Sequence, residues 1–104
     1  LPMLDYGRSY APHVKAVVRA LPSDVQCVQT LGFDAALTTA FRFHSELQVR
    51  TGLQPTANGC DWLIATPAGW SAQDRNTAAQ WQLSERITRP TDRRDHLLLL
   101  RRAP

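Results

Sequence analysis

The side chains able to do chemistry are few and scattered. The chain holds two cysteines, Cys27 and Cys60, and three histidines, His13, His44 and His96. No CxxC occurs and the histidines share no ligand spacing, so a zinc site has little support. Glu46 and Glu85 are far apart and without acid/base context. There is no GxSxG elbow, no HExxH and no Gly-rich phosphate loop, and with only 5 glycines the chain has little material for cradling phosphate. Ser, His and Asp can be combined on paper into many triads, which is why none carries weight. No cofactor and no metal is expected. The even cysteine count permits one disulfide or two buried thiols, since cysteine is often simply a small core residue.

Charge offers a second kind of chemistry. The net charge of +3 comes almost entirely from arginine, with Lys15 the only lysine. Arginine is densest near the C-terminus, at Arg86, Arg89, Arg93, Arg94, Arg101 and Arg102. Such positive charge serves nucleic acid, anionic lipid or a phosphorylated ligand, or is an ordinary solvated surface. Arg89, Arg93 and Arg94 are the candidate basic surface. Trp70 and Trp81 are candidate stacking platforms, with a loop anchor and a core residue as the plain readings.

The elements that must position these groups centre on the stretch from Asn58 to Pro67. A glycine breaks the chain, a short apolar run follows, and Pro67 and Gly69 stop it. That pattern predicts a strand buried on both faces, at the middle of an α/β sheet. Before it, Ser9 is a plausible N-cap with Pro12 in the first turn, and Val14, Val17, Val18 and Leu21 form one apolar stripe of a first helix. His13 at the start of that helix is expected at the surface. Asp24 to Thr30 is a β-branched strand closed by Gly32. A second helix is expected from Asp34 to about Leu47, with Leu37, Ala40, Phe41 and His44 on one face and Phe43 and Leu47 widening it. Gln48 to Arg50 is a short edge strand, and Gly52 to Gly59 a polar loop.

After the central strand, Ala68 to Thr77 reads as a loop carrying Trp70. Gln80 to Ile87 alternates polar and apolar, the mark of a half-buried strand. Arg89 to Arg94 is expected as a turn, and Asp95 to Arg102 as the last strand, giving an antiparallel hairpin on one sheet edge. The fold class is therefore α/β: a small sheet of about four or five strands, two main helices and a C-terminal hairpin. One hundred and four residues and a 43% hydrophobic fraction fit a single folded domain covering residues 1–104. No stretch approaches the roughly 20 apolar residues of a membrane span. The chain opens without a basic leader or an initiator methionine, so a longer parent protein is expected.

Taken together, several short pieces carry a resemblance. They are Asp5-Tyr6-Gly7-Arg8-Ser9-Tyr10, Ala20-Leu21-Pro22, Cys27-Val28 and Ala40-Phe41-Arg42-Phe43-His44. Cys60-Asp61-Trp62-Leu63-Ile64, Trp81, Arg89-Pro90-Thr91-Asp92-Arg93 and Leu98-Leu99-Leu100-Arg101 complete the order. Nearly the whole chain resembles the C-terminal soluble domain of bacterial membrane glycosyltransferases similar to protein mannosyltransferases and the lipid A aminoarabinose transferase. The resemblance implies a periplasmic, non-catalytic domain whose partner is the membrane-embedded catalytic module of the same chain. The parent would move sugar from a polyprenyl-phosphate carrier to lipid A or another envelope acceptor. No catalytic residue is carried over. Anionic lipid headgroups are a further expected partner, and the isolated domain is expected to be monomeric. The periplasm is oxidising, which favours the paired state of Cys27 and Cys60. Their strands follow one another through the second helix, and neighbouring strands lie within disulfide reach. The rival reading is a nucleic-acid or anionic-polymer module using the C-terminal arginines and Trp81.

Overall fold

The structure, a computed structural model, describes residues 6–52, 60–89 and 92–103, with the side chains of residues 6–10, 89 and 92–95 left aside. The elements are α1 (Tyr6–Ala20), β1 (Cys27–Leu31), α2 (Ala35–His44), β2 (Gln48–Thr51), β3 (Trp62–Ala65), α3 (Pro67–Ser71), α4 (Arg75–Ala79), β4 (Trp81–Arg89) and β5 (Asp92–Arg102). The five strands make one sheet in the order β2-β1-β3-β5-β4. β1 runs parallel to β2 and β3, whereas β5 is antiparallel to both β3 and β4. The apolar run after Gly59 is thus the central strand, and the C-terminal pair is the hairpin its alternation predicts.

Period-two alternation divides the strands between two cores. Val28, Ile64, Leu97 and Leu99 face α1 and α2, where they meet Val14, Val17, Leu37 and Phe41. Leu63, Ala65, Leu98 and Leu100 face the other way and pack with Trp81, Leu31 and Trp70. The aliphatic run Leu97 to Leu100 is buried throughout because β5 is an interior strand covered on both sides.

Several expectations are corrected. α1 begins at Tyr6, so Pro12 lies inside the helix and not in its first turn. A proline there removes one N–H bond to the preceding turn and its ring crowds the carbonyl four residues back, yet the helix runs on past it. His13 is 1% exposed, not a surface residue; its Nε2 lies 2.9 Å from the Ile87 carbonyl. The carbonyl can only accept, so Nε2 donates, and the ring ties α1 to the outer strand β4. Phe43 does not widen the α2 core face; it is 81% exposed, with its ring edge-on to His44. Leu37, Ala40 and Phe41 alone fill the buried side of that helix. α2 ends at His44, capped by Ser45, whose N–H returns to the Phe41 carbonyl.

The stretch expected to be a loop with Trp70 forms two short helices. Thr66 caps α3 by accepting from Gly69 N at 3.1 Å, with Pro67 in its first turn. Asp74 caps α4 through Thr77 N at 2.7 Å. Trp70 does anchor this segment, packing against the second core. In β4 the register slips between Leu83, opposite Leu100, and Glu85, opposite Leu99. Ser84 is the inserted residue of a bulge, which reverses the facing of all that follows. Trp81 therefore joins one core and Ile87 the other, although an unbroken alternation would put both on one side. The expected turn is also shorter: Arg89 pairs with Asp92, so Arg93 and Arg94 belong to β5. Most of the expected polar loop, residues 53–59, and the Pro90-Thr91 tip lie outside the described residues.

The α4 cap sets a pH dependence. Hydrogen bonds from the backbone N–H and then the side chain of Thr77 hold the Asp74 carboxyl below its ordinary pKa. A carboxyl lowered on folding contributes stability that is present above its unfolded pKa and is lost as pH falls through the folded one. The Thr77 amide resonance is expected to follow that acid titration in the native protein and to stop doing so in Asp74→Asn. A Thr77 amide that ignores acid in both would remove the cap from the account.

Candidate binding cleft

Parallel α/β sheets usually bind ligands beyond the carboxyl ends of their strands. Here that end of β1 and β3 is closed. Gly32 has φ +79, and its Cα sits so near Gly69 that a Cβ on either residue would meet the other's backbone at about 3 Å. Thr66 N bonds the Leu31 carbonyl at 3.0 Å, seating the start of α3 against the end of β1. Two glycines facing each other allow this close approach, and no crevice is left between them.

Among the described residues the opposite end is open and carries the polar groups. Cys27 starts β1 and Cys60 stands just before β3; the two are bonded, with Cα atoms 5.6 Å apart and a sequence separation of 33. The parallel register, Gln29 opposite Leu63, brings the two strand starts side by side. The fully buried Gln29 donates from Nε2 to the Cys60 carbonyl at 2.7 Å. Arg102 reinforces the same corner. Its N–H donates to the Asp61 carbonyl at 2.8 Å, its Nη2 to the Cys60 carbonyl at 3.2 Å, and its Nε to Asp61 Oδ1 at 3.3 Å.

Each of the last two arginines is the direct cross-strand partner of a tryptophan, Arg101 of Trp62 and Arg102 of Trp81. Because neighbours on a strand point to opposite faces, one Arg–Trp pair lies on each side of the sheet. The Arg102 guanidinium lies 4.6 Å from the Trp81 ring centroid, well within cation–π range. Arg101 lies 5.9 Å from Trp62, at the outer limit, and is exposed. Arg102 is therefore committed to structure, while Arg101 is held loosely enough to meet a ligand.

Among the described residues, clefts open at this end in three places. One of about 540 Å³ runs between the 22–27 segment and the β3–β5 corner; Asp24, Gln26 and Cys27 form one wall, and Asp61, Trp62 and Arg101 the other. A second, about 410 Å³, lies around Asp61, Gln82 and Arg102. The third, about 780 Å³, separates the ends of α1 and α2 near Val18, Leu21, His44 and Glu46. The first brings together a tryptophan, an arginine and two carboxylates.

The candidates read from the sequence divide as follows. Cys27 and Cys60 are brought together as a disulfide. The side chains of Arg89, Arg93 and Arg94 lie outside the described residues; their backbone is at the turn end of the hairpin, opposite the Trp81–Arg102 end. Trp81 is only 6% exposed and covered by Arg102, so its ring is closed to stacking by an incoming base. Asp24, Asp61, Trp62 and Arg101 do not stand out as site residues in the sequence, because their grouping depends on strand register. The signal available is the alternation Leu100-Arg101-Arg102 leaving a buried strand, which places two cations on opposite faces. Among the described residues no group of three or more His, Cys, Asp or Glu is placed to hold a metal ion, and no helix is long and apolar enough to cross a membrane. Comparison with family models, curated proteins and solved structures finds no match to this chain.

Proposed function

We propose that this chain is the external, non-catalytic domain of a membrane-embedded bacterial glycosyltransferase that uses a polyprenyl-phosphate sugar donor. The observation that carries the reading is the Cys27–Cys60 bond, lying within the ordered pieces that resemble such enzymes. A stable disulfide belongs to an oxidising compartment, which suits a domain facing the periplasm. The domain then caps or orients the catalytic module, with the hairpin tip bearing Arg89, Arg93 and Arg94 directed at anionic headgroups. Near such a surface each basic residue contributes about 1 kcal/mol. The rival reading, a nucleic-acid module, is disfavoured by the engagement of Trp81 and Arg102 with each other and of Arg102 with Asp61.

The test is sugar transfer from a polyprenyl-phosphate donor. The purified chain is expected to give none above a heat-killed control, whereas membranes holding the full reading frame give transfer that drops when residues 1–104 are removed. Transfer by the purified chain, or a full reading frame without membrane spans, contradicts the proposal. In a companion measurement, vesicle co-sedimentation should favour anionic over neutral lipid and weaken in Arg89→Gln/Arg93→Gln/Arg94→Gln. Equal binding to both lipids removes the headgroup contact and leaves the rest of the reading standing.

A further inference from the structure

We propose that the cleft walled by Asp24 and Gln26 on one side and Asp61, Trp62 and Arg101 on the other binds a neutral saccharide. This inference stands on the lining of the cleft and is independent of the membrane-enzyme reading.

A sugar ring presents two kinds of surface. Its C–H groups make weakly positive apolar patches, which match the electron-rich face of an indole. Its hydroxyls are both donors and acceptors, and adjacent hydroxyls are best met by planar side chains with paired polar atoms. Carboxylates accept from two hydroxyls, a guanidinium donates to two, and a carboxamide does one of each. The cleft holds one aromatic ring and all three planar types: Trp62, Asp24 and Asp61, Arg101, and Gln26. Its volume of about 540 Å³ falls in the range of small-ligand sites, yet its walls are more polar than those of most such sites.

Charge decides between ligand classes. The cleft is lined by two carboxylates, Asp24 and Asp61, and one guanidinium, Arg101, while Arg102 outside the lining pairs with Asp61, so the formal charges around the corner cancel. A phosphorylated ligand or nucleic acid needs a net positive site and would meet two carboxylates here. A neutral polyhydroxylated ligand gains from Asp24, Asp61 and Arg101 without an uncompensated charge. The walls are also fixed in advance. Trp62 packs against the α1/α2 core, and the Cys27–Cys60 bond joins the two walls directly. Preorganisation of this kind lowers the ordering cost of binding.

The full 104-residue chain can be titrated with neutral oligosaccharides of glucose, mannose, galactose and N-acetylglucosamine while its ¹H–¹⁵N spectrum is recorded. At least one of them is expected to shift the Trp62 indole N–H and the amides of Gln26, Cys27 and Asp61 saturably, with Kd on the order of 1 mM. Asp24 and Arg101 are exposed, so Asp24→Asn and Arg101→Gln should leave the remaining spectrum in place and weaken binding by about fivefold each. Trp62→Phe keeps an aromatic face and should also weaken it while preserving the fold. The proposal is overturned if no sugar produces a saturable shift at about 20 mM. It is equally overturned if the shifts map elsewhere, if both surface variants bind unchanged, or if inorganic phosphate or a sulfated glycan binds the cleft where neutral sugars do not.

Discussion

Removing the disulfide with Cys27→Ala/Cys60→Ala is expected to lower the unfolding free energy by about 3–4 kcal/mol, seen as a fall in melting temperature of roughly 15 °C. The bond closes a loop between positions 33 apart, and its loss restores that loop's freedom to the denatured chain. The effect is large against the total of about 5–15 kcal/mol for an ordinary domain. The native arrangement should survive under folding conditions, because Cys60 is also held through its carbonyl by Gln29 and Arg102. Alanine is the right replacement at position 60, where the side chain is buried and a hydroxyl would need a new partner. Urea unfolding of oxidised, reduced and double-alanine protein measures the effect. A loss under about 1 kcal/mol would mean that the chain-entropy argument fails here.

Gly32→Ala is expected to destabilise by about 2–5 kcal/mol. The left-handed backbone disfavours any β-carbon by about 1–2 kcal/mol, and overpacking adds about 1–3 kcal/mol. The new methyl would overlap Thr66 Oγ1 and sit 3.0 Å from Gly69 Cα. It would push away the cap of α3 and with it the helix that brings Trp70 to the second core. Gly52 supplies the control, because it has the same φ of +79 but nothing within 4 Å of where a β-carbon would stand. Gly52→Ala should therefore cost only the backbone part, about 1–2 kcal/mol. Thr66→Ala should not rescue Gly32→Ala fully, since the Gly69 backbone remains in the way. Equal destabilisation by the two glycine substitutions would show that the close approach of β1 and α3 contributes nothing.

What is legible in the sequence follows from the range over which each signal acts. β3 and most of the stripe of Val14, Val17, Val18 and Leu21 are readable because burial repeats within a few residues, although Val18, at the margin of that stripe, is exposed. The hairpin is readable for the same reason, although the bulge at Ser84 is not: an inserted residue leaves the local alternation looking intact while exchanging the two faces. α3 and α4 are too short to show a helical period, and their signals are confined to the caps, Thr66-Pro67 and Asp74. His13 and Phe43 exchange their expected places because polarity alone sets no position. A histidine whose Nε2 reaches a carbonyl can be buried, and a phenylalanine beyond the edge of a filled face stays in water. The cysteines can be recognised as a possible pair, but only the parallel register of β1 and β3 makes them one. The cleft is least legible of all. Trp62 meets Arg101, and Asp61 meets Arg102, through strand pairing between distant parts of the chain.

Fractionation and differential alkylation of the protein in its own cells tests the placement on which the proposed function depends. The protein is expected in the membrane fraction, reached from outside in spheroplasts by an added protease. After denaturation without reductant, Cys27 and Cys60 should both resist maleimide, and both should react once reductant is supplied. A protein in the soluble cytosolic fraction, with both thiols alkylated directly, would contradict it.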